Sequence, residues 1–114
     1  MTIREVAKIT GISADTLRYY EQIGVIPQIP RTKGGSRDYR ESVLPQIFLI
    51  QRLKAAGMSL KGIQRYMRLS REAGDTLPQQ RQLLEETRHL LMGQIDSLQS
   101  RVAQTESLLE EISA

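Results

Sequence analysis

The stretch IREVAKITGISADTLRYYEQIG, residues 3–24, contains two short helical patterns separated by a glycine. Thr2 is placed to cap the first helix, and Gly11 follows its last residue in the position that favours a left-handed cap. Ser13 opens a second pattern that ends at Gly24. Two short helices joined by a tight turn form a helix-turn-helix, so the second helix is the candidate reader of a DNA major groove.

The segment TLRYYE, residues 16–21, supplies the side chains with which this second helix would contact DNA. If Leu17 points into the core, helical spacing turns its neighbours outward. An outward arginine can pair with guanine or phosphate, although Arg18 could instead form a surface salt bridge with Glu21. Tyr20 lies nearer the buried side, either with its hydroxyl near a phosphate or in a purely apolar role. The candidate DNA contacts of this helix are Thr16, Arg18, Tyr19 and Tyr20.

Residues 25–40, VIPQIPRTKGGSRDYR, have a different character. Two prolines argue against a helix, and Gly34-Gly35 is a turn signal because both glycines can adopt a positive φ. We therefore predict a small, basic β-hairpin wing of two strands. Alternatively, Tyr39 packs against the third helix while Arg37 is only solvated. The candidate DNA contacts of the wing are Lys33, Arg37 and Tyr39.

Two more helices are predicted to complete a DNA-binding domain over residues 1–74. A third helix runs from about residue 43 to 56, with Ser42 as its N-cap. Ser59 caps a fourth helix, which ends near residue 74. Three basic side chains share one stripe of the fourth helix, and they form either a second basic edge or a solvated face: Lys61, Arg65 and Arg68.

A long helical pattern follows a short linker at residues 75–78. Residues 79–112 contain no proline and would span about 50 Å, which is too long for a helix that covers so small a domain. One heptad register makes seven of nine seam positions apolar, the exceptions being Arg88 and Thr105. This pattern predicts a coiled-coil dimerisation helix whose partner is a second copy of the chain. The alternative is that this stripe folds back on the chain's own head. The apolar seam residues are Leu84, Leu91, Ile95, Leu98, Val102, Leu109 and Ile112.

Charge and composition restrict the function. The net charge is +3, but residues 1–74 hold thirteen Lys or Arg against six Asp or Glu, whereas residues 75–114 hold three against seven. A basic module of this kind suits a polyanion. The chain has no cysteine and one histidine, His89, which excludes thiolate and histidine-rich metal sites and leaves no cofactor to expect. Without a nucleophile constellation or a phosphate-cradling glycine motif, an enzyme is not expected, and without an apolar span we expect a cytoplasmic protein.

The run IREVAKITGISADTLRYYEQIGVI, with the glycine-rich turn and GSRDYR after it, resembles the MerR family of bacterial transcription regulators. The resemblance covers the whole chain and implies a mostly α fold: a winged helix-turn-helix head followed by a long dimerisation helix. It also implies that two long helices pair antiparallel and place both heads on one palindromic operator. The dimer would bend and untwist a promoter whose elements lie too far apart, so that RNA polymerase can use it.

The resemblance also assigns residues and marks a departure. Thr16, Arg18, Tyr19 and Tyr20 correspond to the family's recognition helix, and Arg37 and Tyr39 to its wing. The chain lacks both the cysteines of metal- and thiol-responsive members and the large C-terminal domain of drug-binding members, so it resembles a short member whose inducer is unknown. The competing hypothesis is an architectural DNA-binding protein, such as an excisionase-like factor, and the long dimerising helix argues against it.

Overall fold

The computed structural model describes all residues, 1–114, and consists of five α-helices. The first four helices form a head, and the fifth extends from it, so that the molecule measures 76 × 33 × 18 Å. None of the helices is both long enough and apolar enough to cross a membrane. The helices are α1, Ile3–Thr10; α2, Ala14–Gln22; α3, Val43–Ala55; α4, Leu60–Arg71; and α5, Leu77–Ser113.

The helix-turn-helix forms as its capping residues predict. The Thr2 side chain accepts a hydrogen bond from the Glu5 amide, and Gly11, with a left-handed φ of 76°, caps the C-terminal end of α1. The Ser13 hydroxyl then accepts from the Thr16 amide at 3.1 Å and opens α2. Side-chain acceptors thus replace the intrahelical partners that the first amides lack, and the turn between the two helices is confirmed.

The core of the head is a cluster of fourteen buried residues drawn from α1 to α4 and from the loops between them. Leu17 is fully buried and fixes the inner face of α2, as the sequence predicts. In α3 helical spacing predicts that Val43, Leu44, Ile47, Ile50 and Leu53 face inward. Four of them are buried and Leu44 is half-buried. Ser42 precedes α3, but its side chain makes no capping hydrogen bond.

The predicted β-hairpin wing of two strands is wrong. Residues 25–40 contain one isolated antiparallel bridge, between Arg31 and Arg37, and no β-strand. The Asp38 amide donates to the Pro30 carbonyl, but the Tyr39 amide donates to the carbonyl of Met1 instead of continuing the ladder. Proline has no amide hydrogen, and the returning chain soon pairs with another segment, so two regular strands cannot propagate. The wing is a basic loop with a hairpin course.

Helix α5 has two regions with different surroundings. It begins at Leu77 rather than 79, and its first turns pack against α4 through buried Gln80 and half-buried Leu83 and Thr87. Every residue from 88 onward is exposed. The alternative of a helix folded back on its own head is therefore wrong for residues 88–113, which we call the distal half of α5. Of the predicted seam residues, Leu91 alone in this half lies near the head, beside Gly57.

Candidate DNA-binding surface

The outward face of α2 carries the side chains that the sequence places there. Arg18 and Tyr19 are exposed and Thr16 is half-buried, whereas Tyr20 belongs to the core. Arg18 forms its salt bridge with Asp15, at 2.9 Å, rather than with Glu21. Because this pair is solvent-exposed, it holds Arg18 weakly and leaves the guanidinium available for another anion.

Glu21, in the last turn of α2, connects the recognition helix with both ends of the wing. One carboxylate oxygen accepts from Nε of Arg37 at 2.6 Å, and the other accepts from the backbone amide of Ile29 at 3.1 Å. Burial alone would raise the pKa of Glu21. The hydrogen bonds from Arg37 and Ile29, with the positive charges of Arg37 and Arg31, outweigh burial and lower that pKa below its usual 4.5. The carboxylate is therefore charged at neutral pH.

A concave surface that we call the polar hollow lies between α2 and the wing. Its volume is about 580 Å³, and no apolar side chain lines it. Two arginines with no second intrachain acceptor face a hollow of this kind, which matches the chemistry of a DNA phosphate. The lining residues are Arg18, Glu21, Gln22, Gln28 and Arg37.

The candidate contacts of the wing lie at three different depths. Lys33 is fully outside, next to the glycine turn, and Arg37 is half-buried beside Glu21. Tyr39 is only 1% exposed and belongs to the core cluster, as in the alternative that packs it inside. Burial raises the pKa of the Tyr39 phenol, and its hydroxyl has no hydrogen-bond partner in the chain. Because it is buried, the Tyr39 ring is not placed to contact DNA. Lys33 and Arg37 remain accessible.

Helix α4 supplies a set of contacts to α2 that the sequence analysis missed. The side chains of Gln64 and Arg68 donate to the Ile23 carbonyl, and both terminal nitrogens of Arg71 donate to the carbonyls of Gly24 and Val25. Burial, with the nearby charge of Arg68, lowers the pKa of Arg71.

The last turn of α2 already has backbone partners, since the amides of residues 23–25 donate to its carbonyls. The side chains of α4 instead bind the carbonyls of the turn that follows α2, which would otherwise lack a partner within the chain. The sequence did contain a signal for these contacts, because Gln64, Arg68 and Arg71 are spaced to lie on one face of α4. Arg68 therefore holds the turn that follows α2, a role that neither alternative for the basic stripe of α4 included.

The fold and the surface are those of a helix-turn-helix DNA-binding protein. Its features are an exposed recognition helix, a basic wing and a long helix without a partner in the chain. Family models agree: "MerR HTH family regulatory protein" matches residues 1–70, and "MerR, DNA binding" matches residues 46–113. The chain belongs to the MerR family of helix-turn-helix transcription regulators.

Individual relatives support the same assignment. The transcriptional regulator AdhR of Bacillus subtilis is 37% identical over 81% of this chain, and the chain spans 66% of that relative's length, just under two thirds. A MerR-family regulator of Listeria monocytogenes is 32% identical, with a TM-score of 0.75 over 100% of this chain and 86% of its own. HiNmlR, a MerR-family regulator lacking the sensor domain and solved bound to promoter DNA, is 33% identical, with a TM-score of 0.70 over 95% of this chain and 86% of its own.

Proposed function

We propose that this chain acts as a homodimer that grips a palindromic promoter operator with two heads and distorts the DNA between them. One observation carries the proposal: the distal half of α5 exposes an apolar seam that has no partner within the chain. A single charged helix of this length without packing partners is poorly stabilised in water, because most helical stability in proteins comes from tertiary packing. A second α5 is a partner of matching length and pattern.

The seam is suited to an α-helical partner. From Ile95 to Ile112 its apolar residues recur with the heptad spacing of a coiled coil, and each side chain is roughly half exposed or more. Fully burying one such side chain stabilises a protein by about 1.5–3 kcal/mol. Association along the whole seam therefore offers a free-energy gain that folding of the single chain leaves unused. Leu84 and Leu91 continue the seam towards the head.

The DNA-binding role follows from the head. In each subunit α2 would enter a major groove and present Thr16, Arg18 and Tyr19 to base edges and phosphates. Lys33 and Arg37 of the wing would contact the backbone beside it. Because the paired helices hold both heads at a set separation, a site whose half-sites are spaced differently must bend or untwist to fit. In the cytoplasm, RNA polymerase at the same promoter would be the partner that senses this distortion.

The test combines operator selection with sedimentation. The wild-type protein is offered a pool of duplexes with a randomised central region, and bound sequences are amplified through several rounds. We expect an enriched inverted repeat, a dimer at micromolar concentration, and at least about tenfold weaker binding to a single half-site. Fluorophores at the two ends of the selected duplex should move closer together on binding if the DNA bends. A monomer with full affinity for one half-site would contradict the proposal.

A further inference from the structure

Glu21 is an acidic side chain on the DNA-facing side of a basic head, and it makes no contact with a base or a phosphate in the proposed function. It joins three segments at once: α2, the chain that leaves α2 at Ile29, and the chain that returns from the wing at Arg37. The Glu21 and Arg37 side chains are 10% and 19% exposed, so water screens their ion pair only in part. No other salt bridge in the chain connects α2 with the wing.

The hydrogen bond between Glu21 and Arg37 leaves the two terminal nitrogens of the Arg37 guanidinium free to bind an anion. Glu21 uses Nε, while the two terminal nitrogens of Arg37 have no partner within the chain and are not sealed from solvent. An arginine whose Nε is fixed loses most of its freedom before DNA arrives, so less entropy is lost when its terminal nitrogens bind an anion. Arg37 lines the polar hollow together with Arg18.

We propose that Glu21 is a positioning residue for DNA binding: it locks the wing to the recognition helix and aims Arg37 at one backbone phosphate. This inference rests on the proposed function, since it needs a duplex on the face formed by α2 and the wing. It concerns how that face is organised. Glu21 itself touches no DNA, and its effect is exerted through Arg37 and through the Ile29 amide.

Plain electrostatics makes the opposite prediction. A carboxylate near DNA repels phosphates, so its removal by Glu21→Gln should strengthen binding if charge alone matters. A positioning role predicts weaker binding, because glutamine has one acceptor oxygen where the carboxylate uses two. Glu41→Gln is the matched control: Glu41 also lies in the head, is exposed and makes no salt bridge.

The experiment uses the full-length dimer and the duplex selected by the wild-type protein. We expect Glu21→Gln to weaken binding by about tenfold, whereas Glu41→Gln leaves the affinity unchanged or slightly increases it. Melting temperature and sedimentation check that both variants are folded dimers. Equal or tighter binding by a folded Glu21→Gln dimer would overturn the proposal.

A scan with methylphosphonate linkages, which neutralise one phosphate at a time, separates positioning from general stability. In the wild type we expect neutralisation of one phosphate per half-site to weaken binding, and Arg37→Gln should no longer respond at that phosphate. Glu21→Gln should lose the same response although Arg37 is still present. If Glu21→Gln keeps the wild-type response there, or if Arg37→Gln identifies no phosphate, the proposal is wrong.

A second variant covers the case in which Glu21→Gln does not fold. Glu21→Asp keeps the charge but is one methylene shorter, so it cannot reach Arg37 and Ile29 together. It should bind more weakly and lose the response at the Arg37 phosphate, and wild-type behaviour would overturn the inference. The proposed function has a separate failure: in that case the wild-type protein selects no inverted repeat at all.

Discussion

The head and the distal half of α5 are both helical, but they bury their apolar side chains in different ways. Four short helices of the head close around fourteen buried residues, among them Val6, Leu17 and Ile47, which are fully buried. The distal half of α5 has no buried residue, although Leu98 and Val102 are as apolar as residues of the core. The head buries its apolar side chains within one chain, whereas the distal half can bury its own only against another molecule. An apolar pattern therefore indicates that a face is to be covered, without specifying by which chain.

The largest effect is expected from a charge in the seam. Leu98→Glu would place two carboxylates in the apolar contact of a dimer, and each would cost several kcal/mol to desolvate. We expect the dimer dissociation constant to rise by about three orders of magnitude. Sedimentation equilibrium over a range of concentrations measures this change, and operator binding should weaken with it.

The control for this variant adds the same charge to the opposite face of the helix. Ser100 is two positions further along α5 and outside the seam, so Ser100→Glu should leave dimerisation close to that of the wild type. If Leu98→Glu still sediments as a dimer, the heptad register is wrong. In that event the difference between the two regions would need another explanation.

A smaller effect is expected on the outer face of the head. Arg18→Ala should reduce affinity for the selected operator by about 5- to 150-fold, which corresponds to the roughly 1–3 kcal/mol of a lost arginine contact. Fluorescence anisotropy measures this loss. The melting temperature should change little, because the pair with Asp15 is exposed.

Lys61→Ala removes the same charge from an exposed position on α4 instead of α2 and is the control for Arg18→Ala. It should lower affinity much less. If the two variants weaken binding equally, Arg18 contributes only through the net charge of the head and is not part of a specific contact.

The smallest effect is a pH dependence within the head. The pKa of Glu21 in the folded protein lies below its usual 4.5, so its stabilisation is complete above that value and is lost as pH falls through the folded pKa. The wild type should therefore exceed Glu21→Gln in stability by about 1 kcal/mol at neutral pH, and the difference should shrink below about pH 4.5. Urea denaturation at one protein concentration from pH 7 to pH 3 measures it. A difference that stays constant into acid would contradict the Glu21–Arg37 pair.

The sequence predicted the helices of the head well and the site only in part. The caps at Thr2 and Ser13 are local signals, since each acceptor lies three residues from its donor. The outward direction of Arg18 and Tyr19 followed from helical spacing alone once Leu17 was placed inside. The prediction of two strands in the wing was wrong because strand formation depends on a partner strand. The backbone of Tyr39 pairs instead with Met1, which lies far away in the sequence.

What the sequence determined by itself is local: helical periodicity, caps, the position of the turn, and the heptad pattern along α5. Only the tertiary structure decided which distant groups meet, such as the side chains of Glu21 and Arg37 across 16 positions and the Arg71 side chain with the Gly24 carbonyl across 47. It also placed Tyr39 in the core and left the distal seam uncovered. The physical reason is that a helix is stabilised by neighbours a turn away. Pairing between distant residues, in contrast, depends on how the whole chain packs.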